Sequence, residues 1–304
     1  MSAAMIDLSL LPAPDVIETI DFETLLAERK ARLVSFYPAD QQQQVTATLD
    51  LESEPLTRAL QENAYREMLL RQYVIDSARA LMLAFAERGN LEHLAALFGI
   101  KRHTINEPDP ENGIDGVYEG DTDLRYRTQL APQGFSVAGP EAAYRSKALN
   151  ADGRVRDVWV ESPAGAEIVV TVLSRDGDGT ADKPLLDRVT EALSPEDVRP
   201  IGDRVDARSA IIKRYTVTAT LIFYDGPDRE VALSEAKKRV GKFTTGMHKL
   251  GEEVTRDGIS AALRVSGVQK VILLEPATDI PVSTHEAAFC TEIEVLDGGI
   301  YRND

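Results

Sequence analysis

The chain has 304 residues, 43% of them hydrophobic, and a formal net charge of −16; that length suits two or three domains with packed cores, and the acidity argues against nucleic acid or an anionic membrane as main partner, because neither offers a positive surface. A single cysteine, Cys290, excludes an intrachain disulfide framework and suits a reducing compartment. No apolar run approaches the ~18 residues that span a bilayer, and the start MSAAMIDLSLLPAPD lacks the basic n-region of a signal peptide, so a soluble protein made in the cytosol is expected.

Residues 1–19 read as an extended arm punctuated by Pro12 and Pro14. Asp21 caps a predicted helix over 22–36, which Tyr37-Pro38 ends, and a second helix follows over 39–49. The organising stretch comes next. Ser53 can act as N-cap, Glu54 suits the first turn and Pro55 an early helical position, and neither Pro nor Gly follows until Gly89. An unbroken helix from Pro55 to Arg88 would be ~50 Å long at 1.5 Å per residue. Gly89-Asn90 then reads as its C-cap, and 91–98 as a short return helix.

The long helix carries two apolar stripes. Leu56, Leu60, Leu70, Val74, Leu81 and Phe85 recur at 3–4 spacing, with Asn63, Glu67 and Ser77 as polar members; Tyr65, Leu69, Tyr73, Ala80 and Leu83 form the other. Two stripes require neighbours on more than one side. Either the helix packs inside its own bundle, or it joins helices of other chains. On the second reading a partner helix lies along Leu56, Leu60, Leu70, Val74 and Leu81, with Asn63 and Glu67 fixing its register.

Residues 20–105 thus form a helical region, and 106–137 a linker with one short helix, DLRYRTQLA. The segment Asn106 to Gly120, crowded with Pro, Gly, Asn and acids, is expected to be the most protease-sensitive interior stretch. Residues 138–212 read α-β-β-α-β, with strands over 155–161, 167–174 and 201–212. Residues 213–304 read β-α-α-β-β, opening on a strand whose Tyr215, Val217, Ala219, Leu221 and Phe223 share one face. The fold class expected is α+β: a helical N-terminal region, then two small α/β modules with mixed or antiparallel sheets. The two modules could share an architecture when read cyclically, though no residue-level repeat is visible.

Catalytic and metal constellations are weak. His93, His103, His248 and His285 are scattered over different elements. Asp176, Asp178 and Asp182 could offer oxygens to calcium, but Ala181 and Asp187 stand where a calcium loop counted from Asp176 needs Gly and a bidentate Glu. Ser234 and Lys237 spell S-x-x-K without its companion motifs. Cys290, mid-strand, reads as a buried structural thiol, and Arg125 and Arg127 as local partners of Asp121 and Asp123. No catalytic residues, metal ligands or cofactor are assigned. The alternative kept open is a metal-dependent enzyme or small-ligand-binding α/β protein using the acidic loops.

The runs LESEPLTRALQENAYREMLLRQ and LEHLAALFGI, then DTDLRYR at 121–127, GFSVAGP at 134–140, VRDV at 155–158, VLSRDGDG at 172–179 and EDVRP at 196–200, together resemble the phage baseplate assembly protein J family over nearly the whole chain. The resemblance implies a structural wedge component of the baseplate of a contractile phage tail, or of a related tailocin or injection particle. It implies that the N-terminal helices bundle with a second wedge protein, protein I. The C-terminal α/β domains would contact further copies of the same chain and other baseplate proteins, sheath-end, wedge and hub, around the central spike. It implies that these copies close a ring around the hub and spike in the virion tail baseplate, assembled in the host cytoplasm; the charge, the hydropathy and the lack of a catalytic constellation add the expectation of no nucleic acid, no membrane insertion and no enzymatic activity.

Overall fold

The computed structural model describes residues 6–14, 21–196, 198–226 and 228–301. Parts of the N-terminal arm, Asp197 of the EDVRP run and Pro227 of the turn at 225–227 lie outside them. The fold is α+β, as the sequence indicates. The chain divides into two compact units, 4–101 and 102–304.

The first unit is helical. Helix α1 (Phe22–Ser35) starts as expected, the Asp21 carboxylate accepting from the Thr24 N–H. Helix α2 (Gln42–Leu49) starts three residues later than expected. Helix α3 (Pro55–Ala80) opens with Pro at its first position, but its N-cap is Glu54 and no side chain caps it. Ser53 is therefore not the cap. The Thr57 hydroxyl, buried, donates to the Leu49 carbonyl at 2.9 Å and ties the start of α3 to the end of α2.

Helix α3 ends eight residues before the expected stop and is ~39 Å long by the α-helical rise. No breaker residue ends it. The Leu81 N–H bonds back to Ala78 and Arg79, and a further turn runs through Met82 to Ala86. That turn buries Ala86 and is followed by buried Leu91 and Ala95; burial overrides the helix propensity of this stretch. Helix α4 (Arg88–Ala96) then begins at Arg88, itself at φ 48°. Gly89 lies inside α4 and caps nothing.

In the second unit, β1 (Thr104–Asn106) and β2 (Val117–Tyr118) form a two-stranded hairpin within the stretch expected to be open linker. Helices α5 (Asp121–Leu130) and α6 (Glu141–Ala151) follow, then β3 (Val155–Ala164), β4 (Glu167–Ser174), α7 (Lys183–Leu193) and β5 (Arg204–Ser209). The sheet order is β3-β4-β5, with β4 antiparallel to β3 and parallel to β5. The last lobe holds β6 (Ile211–Phe223), α8 (Arg229–Met247), α9 (Arg256–Leu263), β7 (Val268–Glu275) and β8 (Glu286–Ile300). Its order is β7-β6-β8, with β6 antiparallel to β7 and parallel to β8.

The alternation read from 215–223 is the core of this lobe: Tyr215, Val217, Ala219, Leu221 and Phe223 face Ala236 and Val240 of α8 and Ile259 and Leu263 of α9. Both sheets thus have a central strand with one antiparallel and one parallel neighbour. Their connectivity differs. In the first, the antiparallel edge strand precedes the centre in the chain; in the second it follows the helices. A cyclic shift does not interconvert them.

The strands expected to divide between Ile212 and Tyr215 instead divide at Ala210. The Ala210 N–H bonds to Val172 O in the first sheet, and the next N–H, of Ile211, bonds to His285 O in the second. The chain passes from one sheet to the other with no intervening loop.

Candidate assembly surfaces

Helix α3 buries Thr57, Ala64 and Ile75. Ala64 packs with Leu25 and Leu26 of α1, and Phe22, Leu60 and Met68 close around them. Glu67 accepts from Arg29 of α1 and from Arg71 one turn along; these hydrogen bonds hold its carboxyl below the usual range. Leu60 and Glu67 therefore belong to the seam inside the unit, which corrects their placement on a face left for a partner. Asn63 is exposed and its amide donates to Ala59 O at 3.0 Å. Leu81 is 77% exposed but lies beyond the last residue of the helix.

The outward face is a different set. Leu70 is 65% exposed and Tyr73 71%, and Tyr65, Leu69, Val74 and Leu56 are exposed too. At 100° per residue, Tyr65, Leu69, Leu70, Tyr73 and Val74 form one contiguous face opposite Ala64 and Ile75. The sequence shows both stripes; it does not show which one α1 covers, because that depends on the Arg29–Glu67 pair and on contacts far apart in the chain.

The hairpin of the second unit is anchored by charge. Arg127, on α5, is 4% exposed and donates to Glu119, itself 2% exposed; its Nε and second amino group donate to Asn150 Oδ1 at 2.9 and 2.6 Å. Asp121 pairs with Arg102, and Asp123 with Arg175. Beyond the local pairing expected with Asp121 and Asp123, Arg127 takes partners from the end of the hairpin and from α6. Burial pushes the Glu119 carboxyl up, against the pull of Arg127. His103, whose backbone N–H donates to Glu119, has its imidazole brought down to about 4, first by burial and then by the charge of Arg127.

A histidine with a folded pKa below its unfolded value of ~6.5 favours the native state when neutral. Its contribution is therefore complete above pH 6.5 and lost as the pH falls towards 4, by at most about 3 kcal/mol. Urea unfolding of the full chain should show this loss, and His103→Asn should flatten the slope between pH 6.5 and 5; an unchanged slope would remove His103 from the account.

Between the two sheets lies a packed joint. Leu173, Ala210, Leu250 and Ala287 form a small core, with Trp159 and Ile212 against it. Arg156 donates to His248 O at 2.8 Å and to Thr245 O at 2.6 Å, satisfying carbonyls at the C-terminal end of α8. Asp157, buried on β3, accepts from Arg145 and from the Leu250 N–H at 3.1 Å. Gly179, at φ 100°, lies so close to His248 that a Cβ there would sit 2.8 Å from its Nε2.

The acidic loop is absorbed into this framework. Asp178 accepts from Thr180 and Arg214, and Asp182 caps α7 by accepting from the Leu185 N–H. Among the described residues, no group of three or more His, Cys, Asp or Glu could hold a metal. Cys290 is half-buried rather than fully buried, and its thiol is pushed up by that burial. Among the described residues, no helix is long and apolar enough to cross a membrane.

The baseplate J-like N-terminal, central and C-terminal domains match residues 52–109, 136–209 and 215–296 respectively. The chain belongs to the baseplate J-like protein family. It is 48% identical to baseplate protein J of Escherichia phage P2 over 297 residues, covering 97% of this chain and 98% of that protein. A chain in the cryo-EM structure of the anti-feeding prophage baseplate, 6-fold symmetrised, aligns at 16% identity and a TM-score of 0.39, over 58% of this chain and 42% of that one.

Proposed function

We propose that this chain is a structural wedge component of the baseplate of a contractile phage tail or a related injection particle. The observation that carries the reading is the 48% identity to baseplate protein J of phage P2 across nearly the full length of both chains. In this reading the helical region to residue 105 bundles with a second wedge protein of the protein I family, through the outward face of α3. Residues 106–137 brace the following domains, and the α/β domains at 138–212 and 213–304 meet neighbouring copies and other baseplate proteins around the hub and spike. The particle is assembled in the bacterial host cytoplasm, and the chain does no catalysis.

The test is direct. A tagged copy should co-purify with tail particles, and antibody against the tag should label the end of the tail distal to the head. Deleting its gene should leave no complete baseplates. Particles that assemble normally without the chain would overturn the reading.

A further inference from the structure

Two surface regions of the second unit carry charged side chains that make no ion pair among the described residues. The first is α8. Between Ala236 and Gly251 the sequence has no Asp or Glu but includes Lys237, Lys238, Arg239, Lys242 and Lys249, within a chain of net charge −16. All five are exposed. Arg239 pairs with Glu235 at 3.6 Å, whereas the four lysines make no ion pair among the described residues. Val231, two turns before Lys238 on the same face, is 64% exposed. It stands at the lip of a groove of about 290 Å³ whose floor is apolar, lined by Tyr224, Ala232 and Val265, and whose rim also carries the carboxylates of Asp228 and Glu235, the latter paired with Arg239.

The second is the tip of the β1–β2 hairpin. From Glu107 to Asp123 there are seven acids and no base. Glu119, Asp121 and Asp123 are used internally, against Arg127, Arg102 and Arg175. Glu107, Glu111 and Asp115 are exposed and make no ion pair among the described residues. The tip is ordered by its own bonds: Asp109 and Ile114 exchange both backbone hydrogen bonds at 2.9 Å, and the Asp109 carboxylate accepts from Asn112. It presents Ile114, 56% exposed, beside the acids. A preformed loop loses little entropy on docking.

We propose that these two surfaces bind each other between copies: the acidic hairpin tip of one copy docks on the basic face of α8 of the next, with Ile114 entering the groove beside Val231. The unpaired acids Glu111 and Asp115 match Lys238 and Lys242 in charge, Ile114 matches the apolar floor beside Val231, and a second copy supplies both. Because they are different patches of one chain, the contact is head-to-tail, the arrangement that generates rings or open filaments rather than closed pairs. The inference rests on the proposal that several copies meet in one baseplate, and it names the surfaces they use.

The test uses the full chain with Cys290→Ser, in particles assembled in the host. A chain carrying both Glu111→Cys and Lys238→Cys should yield a ladder of cross-linked multimers with a short bismaleimide, and each single variant should yield none. Lys238→Glu with Lys242→Glu should lower the yield of particles about tenfold, and adding Glu111→Lys with Asp115→Lys should restore it to within about twofold. If the chain is in the particle but the double-cysteine variant gives no ladder, or a single variant cross-links to itself, the inference fails while the baseplate reading stands. Absence of the chain from particles defeats the baseplate reading instead. A Lys238→Glu, Lys242→Glu chain that assembles at normal yield yet loses binding to phosphatidylglycerol vesicles would give α8 a membrane role and overturn the inference.

Discussion

Replacing Leu70 and Val74 by Asp is expected to abolish co-purification of this chain with the helical wedge partner proposed above and to leave residues 102–304 folded. Both side chains are exposed on the face of α3 turned away from α1, so the free protein tolerates the change. In a docked state two carboxylates would be buried without partners, at a cost of several kcal/mol, enough for a loss of a hundredfold or more in affinity. Leu60→Asp provides the contrast. Leu60 packs against the Leu25, Leu26 and Ala64 core, so that variant should unfold the helical unit itself. Pull-down of the wedge complex, with circular dichroism of each variant, separates the outcomes. Normal assembly of the Leu70, Val74 double variant would show that the outward face of α3 is not the joining surface.

The second large effect is on stability. Glu119→Ala should destabilise the second unit by about 3–5 kcal/mol, because it leaves the Arg127 guanidinium buried without its carboxylate. Glu119→Gln should cost less, since the amide can still accept a hydrogen bond. Pairing Glu119→Gln with Arg127→Met should recover part of the loss, giving a measurable coupling in a double-mutant cycle from urea unfolding. Proteolysis should follow the same order, with cleavage between 107 and 118 appearing first in Glu119→Ala. If Glu119→Ala unfolds at the same urea concentration as the parent, the hairpin is held by something other than this pair.

What could be read from the amino acids follows the range of the forces involved. The alternation from Tyr215 to Phe223 is local and period two, and it emerged as the core face of β6. The Asp21 cap, the Pro55 start and the hairpin from Val155 to Ser174 are also short-range, and they hold. The end of α3 was not legible. Nothing in LMLAF breaks a helix; the turn there is set by which residues the folded unit buries. The same limit explains the site residues. Leu56, Leu70 and Val74 are exposed on the outward side, but Leu60 and Glu67 face α1, because Arg29 lies 38 residues before Glu67 in the chain. The partners of Arg127 lie 8 and 23 residues away, Glu119 before α5 and Asn150 on α6, outside the i,i+4 spacing that a helix reveals. The hairpin itself was hidden by its composition: Pro, Gly and Asn mark turns, and here the turn closes two very short strands.

The passage at Ala210 has a mechanical consequence. Domain boundaries ordinarily fall in loops that can rotate. Here consecutive amides, of Ala210 and Ile211, are each held by a different sheet, and the side chains around them are packed. No backbone torsion between the lobes is free to turn unless a hydrogen bond is given up. Force applied at the outer edge of one lobe is therefore delivered to the far edge of the other with little lost in between. The two sheets are therefore coupled at this joint as a continuous piece of hydrogen-bonded backbone rather than as beads on a string.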